Sequence, residues 1–253
     1  MKPDLSIVIP AFNESERLGA PLRKVLGYIA GSNPNVEVLV VDDGSSDDTS
    51  DVARAAFAEF PGISSQVVRY EENRGKGFAV RTGLQHASAD IALFSDADLS
   101  TPIEESTKLV EPIREGNFDV TFGSRALDRS LIGTHQPWQR EQGGKVMNFI
   151  IRTMSGLDFK DTQCGFKAFN LTEFRPLLEV MRVDRFGFDV EFLFVAQHNG
   201  LRLAEIPVRW NDVAGSKVSV LRDTRRMIDE LRLVRRNAKR GLYDPLRAQP
   251  LKR

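Results

Sequence analysis

One cysteine, Cys164, occurs in 253 residues, so no intrachain disulfide framework holds this chain and a reducing compartment is expected. No neighbour in sequence lowers the pKa of that thiol, which reads as a small core residue rather than a nucleophile. No window approaches the ~18 consecutive apolar residues of a membrane span. Met1-Lys2-Pro3-Asp4 leads into an apolar strand without the hydrophobic region of a signal peptide. The expectation is a cytoplasmic protein, soluble or peripheral to the cytosolic face of a membrane. Nor is there an excess of charge. Thirty-five Lys and Arg balance 35 Asp and Glu for a formal net charge of +0, which argues against a general nucleic-acid binder. Repeats and low-complexity segments are absent. What is present is an ordinary globular composition, 41% hydrophobic and 28% charged, and enough chain for one large α/β domain or two small ones.

Strand-like and helix-like segments alternate through the first half. Residues 5–9, 36–41, 66–70, 91–94 and 118–122 read as strands, the second nearly all apolar toward its end, as a central parallel strand is. Leu18, Leu22, Val25, Leu26 and Ile29 recur at helical spacing behind Asn13 or Ser15 as the cap. Further helices are expected near Thr49 and over 78–87 and 103–114. Short connections between alternating elements predict an α/β fold with a mostly parallel central sheet flanked by helices. After Ser124 the rhythm changes. Residues 125–142 are polar and loop-like, followed by an amphipathic helix over 143–157, strands over 166–169 and 203–208, and helices over 171–181 and 188–199.

The chemistry gathers where the strands end. Asp96-Ala97-Asp98 follows the apolar run Ile91, Ala92, Leu93, Phe94. On a continuing strand, residues i and i+2 share a face, and two like charges beside apolar neighbours repel and resist desolvation. A divalent cation between them relieves both, and carboxylate oxygens suit Mg²⁺ or Mn²⁺. The plain alternative is that Asp98 caps the helix beginning at Thr101-Pro102. Two more strand ends carry polar loops, Pro10-Ala11-Phe12-Asn13-Glu14 and Asp42-Asp43-Gly44-Ser45. In a doubly wound sheet these loops share the edge where a nucleotide sits. An aspartate there can accept from a base N–H or a ribose hydroxyl. For Asp42 and Asp43 the alternative is a turn with Ser45 or Asp47 capping a helix. Arg74-Gly75-Lys76-Gly77 matches neither G-x-x-x-x-G-K-[ST] nor G-x-G-x-x-G. It still brings glycines and two cations to a helix N-terminus, which suits an anion.

Taken together, the segments from Ile7-Val8-Ile9-Pro10-Ala11-Phe12-Asn13-Glu14 through Val41-Asp42-Asp43-Gly44-Ser45 to Asp96-Ala97-Asp98 resemble the family 2 glycosyltransferases, of the nucleotide-diphospho-sugar transferase (GT-A) fold. Asp161-Thr162-Gln163-Cys164-Gly165-Phe166-Lys167, Phe188-Asp189-Val190-Glu191 and Gly215-Ser216-Lys217 look like the polyprenyl-phosphate sugar synthase branch. Asn73-Arg74-Gly75-Lys76-Gly77, and Ser100 where mannose synthases tend to carry glutamine, tilt the likeness toward the dolichyl-phosphate glucose synthases.

The resemblance implies an inverting, metal-dependent transfer of glucose from UDP-glucose to a polyprenyl phosphate. It implies nucleotide-sugar contacts at Pro10, Ala11, Phe12, Glu14, Asp42, Asp43 and Lys76, and at Asp96, Ala97 and Asp98, with Asp96 and Asp98 holding Mg²⁺ or Mn²⁺. Phosphate or acceptor contacts are implied at Arg125, Arg140, Gln163, Arg209 and Lys217, and catalytic roles at Asp161 and Glu191, as base or as orienting group. A GDP-mannose donor, a soluble acceptor and a non-catalytic nucleotide-sugar-binding scaffold stay open, as does the oligomeric state.

The layout expected is a single catalytic domain over 1–240, made of a nucleotide-binding half (1–124), a completing lobe (125–218) and a basic amphipathic helix (219–240), with a loose tail over 241–253. In that helix Leu221, Met227, Ile228, Leu231 and Val234 recur among Arg222, Arg225, Arg226, Arg232, Arg235 and Arg236. Such a helix lies on an anionic bilayer or packs on the catalytic domain with its charged face outward.

Overall fold

A computed structural model of the chain describes residues 2–32, 35–134, 138–213 and 220–244. Four strands run parallel, β1 (Leu5–Ala11), β2 (Val36–Asp42), β3 (Ser64–Arg69) and β4 (Ile91–Ser95), joined by helices α1 (Gly19–Ser32), α2 (Thr49–Ala58) and α3 (Lys76–His86). Every residue of β1 and β2 is buried, which is why both read as apolar runs without alternation. Then follow α4 (Ser106–Arg114), β5 (Val120–Ser124), β6 (Ile132–Thr134), α5 (Trp138–Ser155), β7 (Phe166–Asn170) and α6 (Leu171–Leu178). The chain continues through α7 (Phe188–His198), β8 (Leu203–Pro207), β9 (Trp210–Asn211) and α8 (Val220–Lys239).

In space the seven-stranded sheet runs β3-β2-β1-β4-β7-β5-β8, with β6 and β9 paired apart from it. Two features of that order position the site. After β3 the chain crosses back to lay β4 on the free side of β1, so the strand order reverses between β1 and β4. A crevice opens there at the carboxyl ends of the strands. The second feature is β7, antiparallel to both neighbours, with Phe166 opposite Ser95. An antiparallel strand begins where its parallel neighbours end, so residues 161–165 arrive at the same edge as Asp96.

Alternate strand residues feed two cores. Val8, Leu39 and Val41 face α3, α6, α7 and α8 on one side of the sheet. Ile7, Ile9, Val38 and Val40 face α1, α2 and α4 on the other.

Several expectations shift. The helix expected behind Asn13 or Ser15 begins at Gly19; Asn13 takes a left-handed φ of 52° and its side chain accepts from Ser46 N–H at 2.9 Å. The helix expected over 103–114 divides into a 3-10 turn, Ile103–Glu105, and α4. The short strands β6 and β9 were not foreseen, being too brief for periodicity to register.

The terminal helix needs a larger correction. Met227, Leu231 and Val234 are 4%, 2% and 1% exposed, packed into the core that α7 shares. The apolar stripe of α8 is therefore covered by the protein itself and is not offered to a bilayer, while Arg225, Arg226, Arg232, Arg235 and Arg236 are exposed. Nor is the tail loose from Gly241. Tyr243 is fully buried, its hydroxyl donating to Glu191, and Asp244 sits 2.5 Å from His198 Nε2. Residues 245–253 lie outside the described residues. No helix among the described residues is long and apolar enough to cross a membrane.

Gly83 on α3 lies against β1 and β2, where an added Cβ would strike Val8 and approach Val41 Cγ2 to 3.0 Å. Gly27 on α1 has nothing within 4 Å. Gly83→Ala is expected to cost about 1–3 kcal/mol of overpacking, and Gly27→Ala to be stabilising by about 0.5–1 kcal/mol. Urea unfolding midpoints of the two variants check both signs.

Candidate active site

A cavity of 370 Å³ opens at the switch between β1 and β4. Pro10, Ala11, Phe12 and Glu14 form one wall, Asp43 and Lys76 the second, and Asp96, Ala97 and Asp98 the third. Arg17, Asn73, Arg185 and Phe186, none of them foreseen as contacts, complete the lining with Gly75 and Ala79. Phe12 and Phe186 are 39% and 37% exposed, two aromatic faces turned to the solvent of the crevice. A larger hollow of 620 Å³ lies at the opposite edge of the sheet. Its Lys2 and Asp90 neutralise each other at 2.5 Å, and it collects none of the residues singled out above.

The two carboxylates of Asp96-Ala97-Asp98 are brought together by a turn, not by the pleat of a strand. β4 stops at Ser95, Leu99 N–H donates back to Asp96 O at 3.2 Å, and Leu99 takes a φ of 51°. Asp98 Oδ1 accepts from Ser100 N–H at 3.0 Å, which closes the turn rather than capping a helix. Asp96 N–H donates to Gly165 O at 3.0 Å, and a Cβ at position 165 would run into the Asp96 carboxylate. Lys76 Nζ stands 2.6 Å from Asp96 Oδ1 as its counter-ion. Burial works to lower the Lys76 pKa, and the charges of Asp96, Asp189 and Asp98 overcome it.

Apart from the Lys76 ammonium, Asp96 Oδ1 meets no donor among the described residues. Two hard carboxylates beside an open cavity, one already drawing a cation, fit Mg²⁺ or Mn²⁺. Mg²⁺ typically takes one or two protein carboxylates and completes its shell with substrate phosphate and water. No group of three or more His, Cys, Asp or Glu is gathered as a metal cage among the described residues.

Asp42 and Asp43 part company. Asp42 is fully buried and outside the cavity lining, its carboxylate accepting from Ser45 N–H at 2.8 Å and from the Ser50 hydroxyl. It holds the loop shut, the turn alternative weighed for it. Asp47 caps α2 through Thr49 N–H at 3.1 Å; burial works to raise its pKa, but hydrogen bonds from Thr49 and Ser15 hold it at about 2. Asp43 lines the cavity, yet all four hydrogen bonds to its carboxylate oxygens are internal. They come from Tyr70 OH at 2.7 Å and from Asn73 Nδ2, Arg74 N–H and Gly75 N–H at 2.8 Å each.

A second cavity, of 420 Å³, lies on the far side of residues 161–165. Arg125, Arg129, Lys145, Arg152 and Lys160 line it together with Asp161, Gln163 and Trp210. Arg125 clasps Asp161 through Nε at 2.7 Å and Nη2 at 2.8 Å, and its guanidinium carbon lies 5.5 Å from the Trp210 ring centre. Burial works to raise the Asp161 pKa, but the Arg125 charge and hydrogen bonds hold it below the usual carboxylate range. Glu205 of β8 fixes the backbone here, accepting from Asp161 N–H at 2.7 Å and Lys160 N–H at 2.9 Å. No pattern in the sequence marked Glu205 or Trp210.

Two expected residues fall elsewhere. Glu191 is fully buried and accepts from Arg182 N–H and Val183 N–H, both at 2.9 Å, and from the Tyr243 hydroxyl. It cannot reach a ligand in either cavity and is removed as a base. Arg209 lines neither cavity and pairs with Glu105 at 2.6 Å. Lys217 and the side chain of Arg140 lie outside the described residues. Sequence reasoning also left Lys167 without a role. It is fully buried, with Nζ 2.5 Å from Cys164 O and 2.6 Å from Asp189 Oδ1.

The profile of Glycosyl transferase family 2 matches residues 6–175. The chain belongs to that family. As a family 2 glycosyltransferase it is 35% identical to a dolichyl-phosphate beta-glucosyltransferase of Drosophila melanogaster, over 85% of this chain and 69% of that protein. It is 32% identical to the Homo sapiens dolichyl-phosphate beta-glucosyltransferase, over the same shares. Among solved structures, glucosyl-3-phosphoglycerate synthase of Mycobacterium tuberculosis with Mn²⁺, UDP-glucose and phosphoglyceric acid superimposes at a TM-score of 0.64. That likeness has 19% identity and covers 92% of this chain and 79% of the other. Mannosyl-3-phosphoglycerate synthase from Rubrobacter xylanophilus gives 0.64 at 20% identity, covering 99% and 77%. The fold is the GT-A fold, and this glycosyltransferase carries its Asp-x-Asp turn at the switch point of the sheet.

A double-mutant cycle on Arg125→Ala and Asp161→Ala is expected to give a coupling of about 1–3 kcal/mol at pH 7 by urea unfolding. Additive costs would show that the clasp contributes nothing. A depressed folded pKa gives stability that is complete above the unfolded value of about 4 and is lost as pH falls through the folded value. The coupling should therefore be the same at pH 5 and shrink only on stronger acidification.

Proposed function

We propose that this glycosyltransferase moves glucose from UDP-glucose to a polyprenyl phosphate, inverting the anomeric centre, at the cytosolic face of a membrane. The observation that carries the reading is a pair of unlike cavities linked by residues 161–165: Gly165 O accepts from Asp96 N–H of the first, and Asp161 and Gln163 line the second. One holds the Asp96 and Asp98 carboxylates; the other is lined by five cations. A nucleotide-sugar donor suits the first and an anionic acceptor the second.

Breaking the anomeric C–O bond leaves negative charge on the departing diphosphate. A divalent cation held by Asp96 and Asp98 supplies Lewis-acid stabilisation of that charge when bound. Lys76 brings a fixed ammonium to the same end of the cavity, and Phe12 with Ala11 offers an apolar wall to the nucleobase. A phosphate acceptor is an anion near neutral pH, so it needs positioning more than deprotonation. Arg125, Arg129, Lys145, Arg152 and Lys160 do that by charge and by guanidinium hydrogen bonds. Asp161, kept ionised by Arg125, orients that guanidinium and takes no proton.

A lipid acceptor is favoured by α5. Lys145, Asn148 and Arg152 face the cavity, and helical periodicity puts Phe149 on the adjoining strip with Val146 beyond it. These two are 71% and 61% exposed, an apolar surface beside the 420 Å³ cationic hollow. The dolichyl-phosphate beta-glucosyltransferase relatives support the same acceptor class. The exposed arginines of α8 suit an anionic membrane surface by charge alone.

The test is nucleoside diphosphate release from UDP-glucose and from GDP-mannose, with Mg²⁺ or Mn²⁺, each with and without a short polyprenyl phosphate. Lipid-dependent release from UDP-glucose, abolished in Asp96→Ala, is expected. Release from GDP-mannose alone would replace the donor, and no lipid stimulation with either donor would sink the pairing.

A further inference from the structure

The donor cavity has one wall that no sequence motif marked, Arg185 and Phe186, on the connection between α6 and α7. That connection has no regular structure of its own and is held at three points. Toward α3, Asp184 O accepts from Phe78 N–H at 3.0 Å and Asp184 Oδ1 meets Arg81 Nη2 at 2.5 Å. At its start, the backbone N–H groups of Arg182 and Val183 donate to Glu191. At its end, immediately after Phe186, Gly187 N–H donates to Glu230 Oε2 at 2.7 Å. Glu230 belongs to α8, more than forty positions along the chain, and lies close enough that a Cβ on Gly187 would collide with its side chain.

We propose that Glu230 is a positioning residue for the donor: by fixing Gly187 N–H it sets where Arg185 and Phe186 stand over the cavity. The inference rests on reading that cavity as the donor site. Glu230 does not line the cavity, though its charge acts on Arg185, which does, and the cationic cavity beyond residues 161–165 shares no lining residue with the connection it holds. Its effect therefore falls on the donor and not on the acceptor. The hydrogen bond to Gly187 N–H needs only an oxygen acceptor, so glutamine at this position keeps it and alanine loses it, while the charge beside Arg185 is lost in both.

The experiment compares wild type, Glu230→Ala and Glu230→Gln. Calorimetric binding of UDP and GDP is measured first, then KM for donor and acceptor in the transfer assay, with thermal midpoints alongside. For the nucleotide that wild type binds, Glu230→Ala is expected to weaken binding and raise donor KM by about tenfold, the scale of one lost hydrogen bond to a carboxylate. Acceptor KM and kcat should stay within about twofold, and Glu230→Gln should restore the donor values. Unchanged donor binding in Glu230→Ala overturns the proposal. So does a loss shared equally by donor and acceptor, or one that glutamine does not repair. A wild type that binds neither nucleotide brings down the donor-site reading, and this inference with it.

Discussion

A lysine ammonium with no access to water ties the two halves of the site together. Lys167 is the second residue of β7, the strand between β4 and β5, and its side chain is fully buried. Taking an ammonium and a carboxylate out of water costs several kcal/mol each, and only close, well-directed partners offset it. Lys167 has both: the Cys164 carbonyl at 2.5 Å and Asp189 at 2.6 Å, on the first turn of α7. The charge thus clamps the segment before β7 to the helix packed across the sheet. That segment ends at Gly165, which receives the Asp96 N–H, and begins at Asp161, which receives Arg125. This buried pair, together with Glu205 and the Asp96–Gly165 hydrogen bond, holds the segment that links the acidic crevice to the cationic one.

Most of the carboxylates around the site are consumed by the protein. Asp42, Asp43, Asp161 and Glu191 each accept two or more internal hydrogen bonds, and a carboxylate with its lone pairs filled has little left for a ligand. Such groups shape loops. Asp96 differs, since apart from the Lys76 ammonium its Oδ1 meets no donor among the described residues. Backbone strain points to the same place. Asn13 and Leu99 are the non-glycine residues with positive φ among the described residues, at the ends of β1 and β4. Held left-handed conformations cost on the order of 1 kcal/mol or more and persist where surrounding contacts impose them. Asparagine tolerates this better than leucine, so the turn after Asp98 is the more costly.

Much of the fold was legible because its signal is local. Buried parallel strands such as β1 and β2 are mostly apolar runs, and the helices between them keep a 3.6-residue period. The cavity residues at Pro10–Glu14, Lys76 and Asp96–Asp98 were legible for the same reason, as polar loops directly behind those runs. Helix 219–240 was legible as basic and amphipathic, but periodicity describes a face without saying what covers it. Burial of Met227, Leu231 and Val234 against the domain's own core decided that question.

The sequence by itself determined the order of the main strands and helices, the Asp96-Ala97-Asp98 motif behind β4 and the family. The tertiary structure alone decided which carboxylates are spent. Asp42 and Glu191 carry the same functional group as Asp96, and only the donors that long-range folding brings to them set the three apart. Arg185 and Phe186 reach the cavity because α7 packs across the sheet, and Glu230 reaches Gly187 because α8 packs beside it. Such contacts join residues tens of positions apart, a separation over which neither period nor motif carries information.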